Sequence, residues 1–91
     1  MKEMEERELA DQLIREGYSH LYVWEDGPHV DYPEHQHRAD SAHIVLNGEM
    51  TITSDGETRL YRTGDRVDVP AGVKHSAKAG PMGCRYLIGE R

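Results

Sequence analysis

Apolar residues follow two different spacings along this chain, and the change falls at Gly17. Before it, Leu9, Ala10, Leu13 and Ile14 gather on one face at the i, i+1, i+4, i+5 spacing of an amphipathic helix. This predicts one helix over Lys2–Glu16. Glu3, Glu5, Glu6 and Glu8 crowd its N-terminal half and Arg15 lies in its last turn, the order a helix macrodipole favours. No proline interrupts the stretch, and Gly17 is placed as the residue just past the helix end.

After Gly17 the spacing becomes that of strands. In His20–Trp24, Leu21 and Val23 fall opposite His20, Tyr22 and Trp24. Asp26-Gly27-Pro28 reads as a turn. Ala42–Leu46 and Met50–Thr53 flank Asn47-Gly48, a two-residue hairpin signal, and Asp55-Gly56 is a second one before Thr58–Arg62. Thr63-Gly64-Asp65 turns the chain into Arg66–Val69, which ends at Pro70-Ala71-Gly72. His75–Lys78 ends at Ala79-Gly80-Pro81, and Cys84–Ile88 is the last strand. Short strands at this spacing predict an antiparallel barrel or sandwich. Residues 18–91 suffice for about eight strands, the number at which a small barrel just holds one ligand.

Length and charge narrow the field. A chain of 91 residues allows one domain. We read residues 1–17 as an N-terminal helix and residues 18–91 as the barrel. So small a domain buries only about 60–65% of its unfolded surface, so a metal, a ligand or a partner subunit would help to stabilise it. The net charge of −6 suits neither nucleic acid nor an anionic membrane surface. No apolar run is long enough to span a bilayer, and the charged start lacks the apolar stretch of a secretory signal. The single cysteine, Cys84, excludes an internal disulfide framework and points to a reducing, cytoplasmic setting.

The chain holds six histidines, and three have informative spacing. His35 and His37 are two apart, so on a strand both rings face one side. His75 follows a proline–glycine turn far downstream. Two imidazoles from one strand and a third from a distant one is a common way to build a three-nitrogen metal site.

The residues around these histidines resemble those of a known family. Gly64, five residues, Pro70, one residue, Gly72, two residues and His75 match the second motif of the cupin superfamily, except that Ala79 stands at the family's final Asn. His35-Gln36-His37 and Gly48 fit the first motif, and the fifteen residues between Gly48 and Gly64 fit the spacer of small bacterial cupins. The resemblance spans roughly residues 18–89. It implies an all-β, antiparallel cupin-type barrel (a double-stranded β-helix or jelly roll) behind the short helix.

One departure bears on function. The family's glutamate ligand falls at position 41, where this chain has Ser41, an uncharged and poor ligand. Asp40 should point to the opposite face. His43, two residues on, shares the inward face of Ser41. The resemblance therefore implies a divalent transition metal (Zn, Fe, Ni, Mn or Cu) held by His35, His37, His43 and His75. The alternative is a three-imidazole site of His35, His37 and His75. An all-imidazole site keeps the ion's full charge, which favours Lewis-acid action or a bound water of lowered pKa.

Other residues have more local readings. Tyr22, Trp24 and Tyr32 line the barrel mouth, or else belong to the core or a dimer interface. Arg66 and Arg85 are candidates to bind a carboxylate substrate, or else decorate solvated strand faces. Asp65 reads as a local turn partner, Glu49 as exposed, and Cys84 as a buried, inert thiol. The whole reads as a metal-dependent cupin enzyme, oxygenase- or isomerase-like, acting on a small molecule in the barrel. The alternatives are a non-catalytic ligand- or metal-binding module and a purely structural cupin. The resemblance and the thin core both favour a homodimer, with the helix over a barrel edge or across that dimer.

Overall fold

The computed structural model describes residues 5–91. Residues 2–4 of the expected helix lie outside the described residues. Among these there is one helix, α1 (Glu6–Arg15), and six strands: β1 (His20–Asp26), β2 (Asp31–His35), β3 (Ser41–Ser54), β4 (Glu57–Arg62), β5 (Arg66–Val69) and β6 (His75–Glu90). The helix ends as its sequence requires. Gly17 adopts φ +98°, and the amides of Gly17 and Tyr18 donate to the carbonyls of Ile14 and Leu13 at 3.0 Å each. These crossed bonds satisfy carbonyls that the last turn would leave open.

Six strands accomplish what eight short ones were expected to do, because β3 and β6 are long and each serves twice. All pairings are antiparallel. The C-terminal half of β6 lies between β1 and the N-terminal half of β3, which also pairs β5. The N-terminal half of β6 lies between β2 and the C-terminal half of β3, which pairs β4. Two four-stranded halves result, as in a jelly roll.

This arrangement corrects two expected turns. Asn47-Gly48 is not a hairpin but an irregularity within β3, where the register against β6 shifts between Val45 and Asn47 and again between Gly48 and Met50. Ala79-Gly80-Pro81 likewise lies inside β6. The physical reason is close backbone approach. Gly48 has φ +81°, and a Cβ there would sit 2.2 Å from the Gly83 carbonyl oxygen. Such bulges bend a strand and let it continue into the second sheet. Asp55-Gly56 is the true hairpin: both residues have positive φ, and Ser54 pairs with Glu57.

Strand alternation then separates two apolar clusters. Ala42, Ile44 and Leu87 face outward and pack with Leu13 and Tyr18 beneath α1. Gly89 leaves room for this contact, since a Cβ there would lie 3.1 Å from Leu13 Cδ1. Val45, Met50, Ile52, Tyr86 and Ile88 face inward and form the barrel core. The helix thus covers an outer face of the sheet. It is anchored by Glu16, which takes both guanidinium nitrogens of Arg66 at 2.7 and 2.9 Å, and by Glu6, 2.8 Å from Arg85.

Candidate metal centre and ligand pocket

His35 ends β2 and His75 begins β6, and the two are direct partners in the antiparallel ladder. His37 follows in the next loop, which is tied to the Pro70–Gly72 turn by a 2.9 Å bond from the Gly72 amide to the His37 carbonyl. Asp40 secures the same turn by accepting the Ala71 amide at 2.9 Å. Its carboxylate is therefore engaged away from the histidines, as strand alternation predicts. The three imidazoles converge so that one ligand nitrogen from each lies within 4.8 Å of the others.

Two of the three tautomers are fixed by the backbone. Nδ1 of His35 is 2.8 Å from the Pro33 carbonyl, and Nδ1 of His75 is 3.2 Å from the Val73 carbonyl. A carbonyl can only accept, so both Nδ1 atoms carry the proton and both Nε2 atoms present a lone pair. Backbone carbonyls orient metal-ligating histidines in the same way. Burial holds the pKa values of His37 and His75 below the usual imidazole range, with the neighbouring imidazoles adding to it. Neutral imidazole is the form that binds metal. The donor set fits a divalent transition ion.

His43 lines the same cavity but stands apart from this group. Its ring centroid is 6.5 Å from that of His37, and its Nε2 is 3.1 Å from Ser41 Oγ. Burial pushes its pKa down to about 4, helped by the charges His37 and His75 would carry. The place where the resemblance expects a carboxylate thus holds a serine–imidazole pair.

The cluster opens onto a cavity of about 270 Å³. At about 30 Å³ per water that is space for roughly nine waters, enough for a ligand of one substituted ring. Tyr22, Trp24 and Tyr32 line it, together with Met50, Ile52 and Ile88. Arg66 and Arg85 do bind carboxylates, but those of the chain itself, and neither lines the cavity. Asp65 accepts the Arg62 amide at 2.8 Å, a local turn bond. Cys84 is buried, and burial pushes its thiol up to about 11.

Sequence reasoning missed the polar wall behind the aromatic residues. Asp26, read there as part of a turn, is buried at the end of β1. Its carboxylate accepts from Tyr86 Oη at 2.8 Å and Trp24 Nε1 at 2.9 Å, and also from the Tyr32 hydroxyl. Burial and this carboxylate raise the pKa of Tyr86 far above the usual phenol range. The available signal was parity: Tyr22, Trp24 and Asp26 share one face of β1.

Comparison with known proteins places these features. The family profile described as "Cupin domain" matches residues 22–87. Quercetin 2,3-dioxygenase of Bacillus subtilis (strain 168) is 39% identical over 46 residues; these are 50% of this chain but only 14% of that protein. Among solved structures, the DMSP lyase DddQ of Ruegeria pomeroyi DSS-3 superposes with a TM-score of 0.72 at 29% identity, covering 78% of this chain and 36% of that one. A cupin superfamily protein of Desulfitobacterium hafniense DCB-2 superposes with a TM-score of 0.70 at 23% identity, covering 77% of this chain and 63% of that one. The last likeness shows the fold alone.

Proposed function

The chain belongs to the cupin family, and from that premise we propose that it is a metal-binding cupin that acts on a small organic molecule in its barrel. One observation carries the reading. Three imidazoles, two with backbone-fixed tautomers, converge at the wall of an aromatic-lined cavity. His35, His37 and His75 would hold the ion. His43 joins them as a fourth imidazole only where its Nε2 leaves Ser41. The ion would supply a Lewis acid at the cavity wall.

The chain's own residues do the rest. Met50, Ile52 and Ile88 exclude water from the inner end. Trp24 and Tyr32, fixed by Asp26, hold the aromatic wall rigid so that a flat ligand meets a preformed surface. An enzymatic role, oxygenase- or isomerase-like, is supported by two relatives whose names are those of a dioxygenase and a lyase. The second reading is a non-catalytic binder, in keeping with an aromatic-lined cavity of ligand size.

Two further elements belong to the proposal. A homodimer would cover the outer edge of β1, where Val23 and Trp24 are 36% and 50% exposed. A cytoplasmic setting agrees with the lone unpaired Cys84. No described helix is long and apolar enough to cross a membrane.

The test is metal analysis of untagged protein followed by turnover. Close to one equivalent of transition metal, with oxygen uptake or product formation from small acids, diketones or phenols, is expected of the enzyme. Binding that only raises the melting temperature would select the binder. Failure to take up any divalent transition ion would sink the metal-dependent reading and leave only a metal-free ligand binder.

A further inference from the structure

The cavity carries one acidic residue whose place suggests what the pocket accepts. Glu90 is the direct β-ladder partner of Ser41. Alternation along β6 puts it on the inner face with Tyr86 and Ile88, and it lines the cavity. Among the described residues, no Lys or Arg lines that cavity, and Glu90 has no ion-pair partner. The other carboxylate nearby, Asp26, is already occupied by its three donors. Glu90 lies beside Tyr22, and after burial its hydrogen bond and then its charge raise the Tyr22 phenol pKa. It is not one of the three converging ligands. Negative charge is therefore retained in the pocket, one strand over from position 41, without lying within the ligand cluster.

On the metal-binding reading above, we propose that Glu90 weakens the binding of small anions in this pocket relative to neutral ligands, setting one negative charge against the pull of the ion. An anion held against the imidazole cluster would share the half-buried pocket with a carboxylate that no protein cation neutralises. One unneutralised charge in a partly solvated pocket alters the binding of a charged ligand by about three- to tenfold. A neutral ring with a hydrogen-bond-donating edge meets aromatic walls and, at Glu90, an acceptor.

Cobalt(II) provides a visible probe. The Co(II)-loaded wild type, Glu90→Gln and Glu90→Asp would each be titrated at pH 7.5 with azide, an anion, and with imidazole, a neutral N–H donor. The cobalt d–d bands report binding. Glu90→Gln is expected to tighten azide about three- to tenfold while imidazole affinity stays level or falls. Glu90→Asp, which keeps the charge, should stay near wild type. Equal azide affinities in wild type and Glu90→Gln would overturn the proposal while leaving the metal reading intact. So would a near-complete loss of cobalt binding in Glu90→Gln, far beyond the several-fold weakening that removing a nearby negative charge gives a divalent ion, because it would make Glu90 a ligand. Absence of cobalt uptake by the wild type would remove the metal reading and this proposal with it.

Discussion

His35 and His75 face each other across the β2/β6 ladder with ring centroids 4.3 Å apart, and each donates Nδ1 to the carbonyl two residues before it. The symmetry leaves two Nε2 lone pairs aimed together before any ion arrives. Removing either should cost more than removing His43, whose nitrogen is turned to Ser41. His35→Ala and His75→Ala are each expected to weaken Zn(II) or Co(II) binding by about 100-fold or more, and His43→Ala by less than about tenfold. Isothermal titration calorimetry with a competing chelator measures all three. A His43→Ala loss as large as that of His75→Ala would establish the four-imidazole set.

Acid should destabilise the metal-free protein through the same imidazoles. The His43 pKa is lowered from 6.5 to about 4, so above pH 6.5 both folded and unfolded forms are neutral. Between these values the unfolded chain takes a proton that the folded chain refuses, and stability falls as pH falls. Below about pH 4 both forms are protonated and this loss stops growing. Because the ring lines an open cavity, the total is about 2–3 kcal/mol rather than the full value of the shift. His37 and His75 act in the same direction. Urea midpoints of chelator-treated protein at pH 7.5 and 4.5 should show the drop, and His43→Gln should shrink it. An unchanged midpoint between the two pH values would contradict the assignment.

The Asp26 network predicts a second local cost. Its carboxylate accepts three hydrogen bonds from Trp24, Tyr32 and Tyr86 while buried. In Asp26→Asn one oxygen becomes an NH₂ that faces donors, leaving the buried Tyr86 hydroxyl or the half-exposed Trp24 indole without its acceptor. The expected destabilisation is about 2–3 kcal/mol. The Trp24 fluorescence maximum should also shift, since the indole loses a defined partner. A native spectrum with unchanged stability would mean that the network is not formed in solution.

Much of this was readable from residues, and what was not has a common cause. The helix stop at Gly17 and the Asp55-Gly56 hairpin follow from local rules. So does the split of Tyr22 and Trp24 from Leu21 and Val23 on β1. The set of His35, His37 and His75 was instead legible through motif spacing, since His37 lies in the loop after β2 and His75 is distant in sequence. The errors arose where local chemistry is degenerate. Asn47-Gly48 has the same sequence signature whether it reverses a chain or bulges within a strand. The choice depends on Gly83, which lies far along the chain and approaches only in the fold. Glu90 and Asp26 were overlooked for a similar reason, because their importance comes from cross-strand neighbours rather than sequence neighbours.

That degeneracy can be tested by comparing two glycines. Gly48 has φ +81°, and an added Cβ would lie 2.2 Å from Gly83 O and 3.0 Å from Gly83 C. Both contacts are backbone, so a substitution must move β3 away from β6. Gly56 has φ +75°, but a Cβ there would meet nothing within 4 Å. Gly56→Ala should therefore cost only its backbone strain, about 1 kcal/mol. Gly48→Ala adds the clash and should cost about 3 kcal/mol or more. At about 4–8 °C per kcal/mol for a domain of this size, the melting temperatures should fall by roughly 4–8 °C and by more than about 12 °C. Because the bulge bends β3 between its two sheet halves, Gly48→Ala should also disturb the cavity and weaken metal binding at His35 and His75. Gly56→Ala, at a hairpin tip, should leave it unchanged. Equal losses at the two positions would show that Gly48 serves as a turn after all.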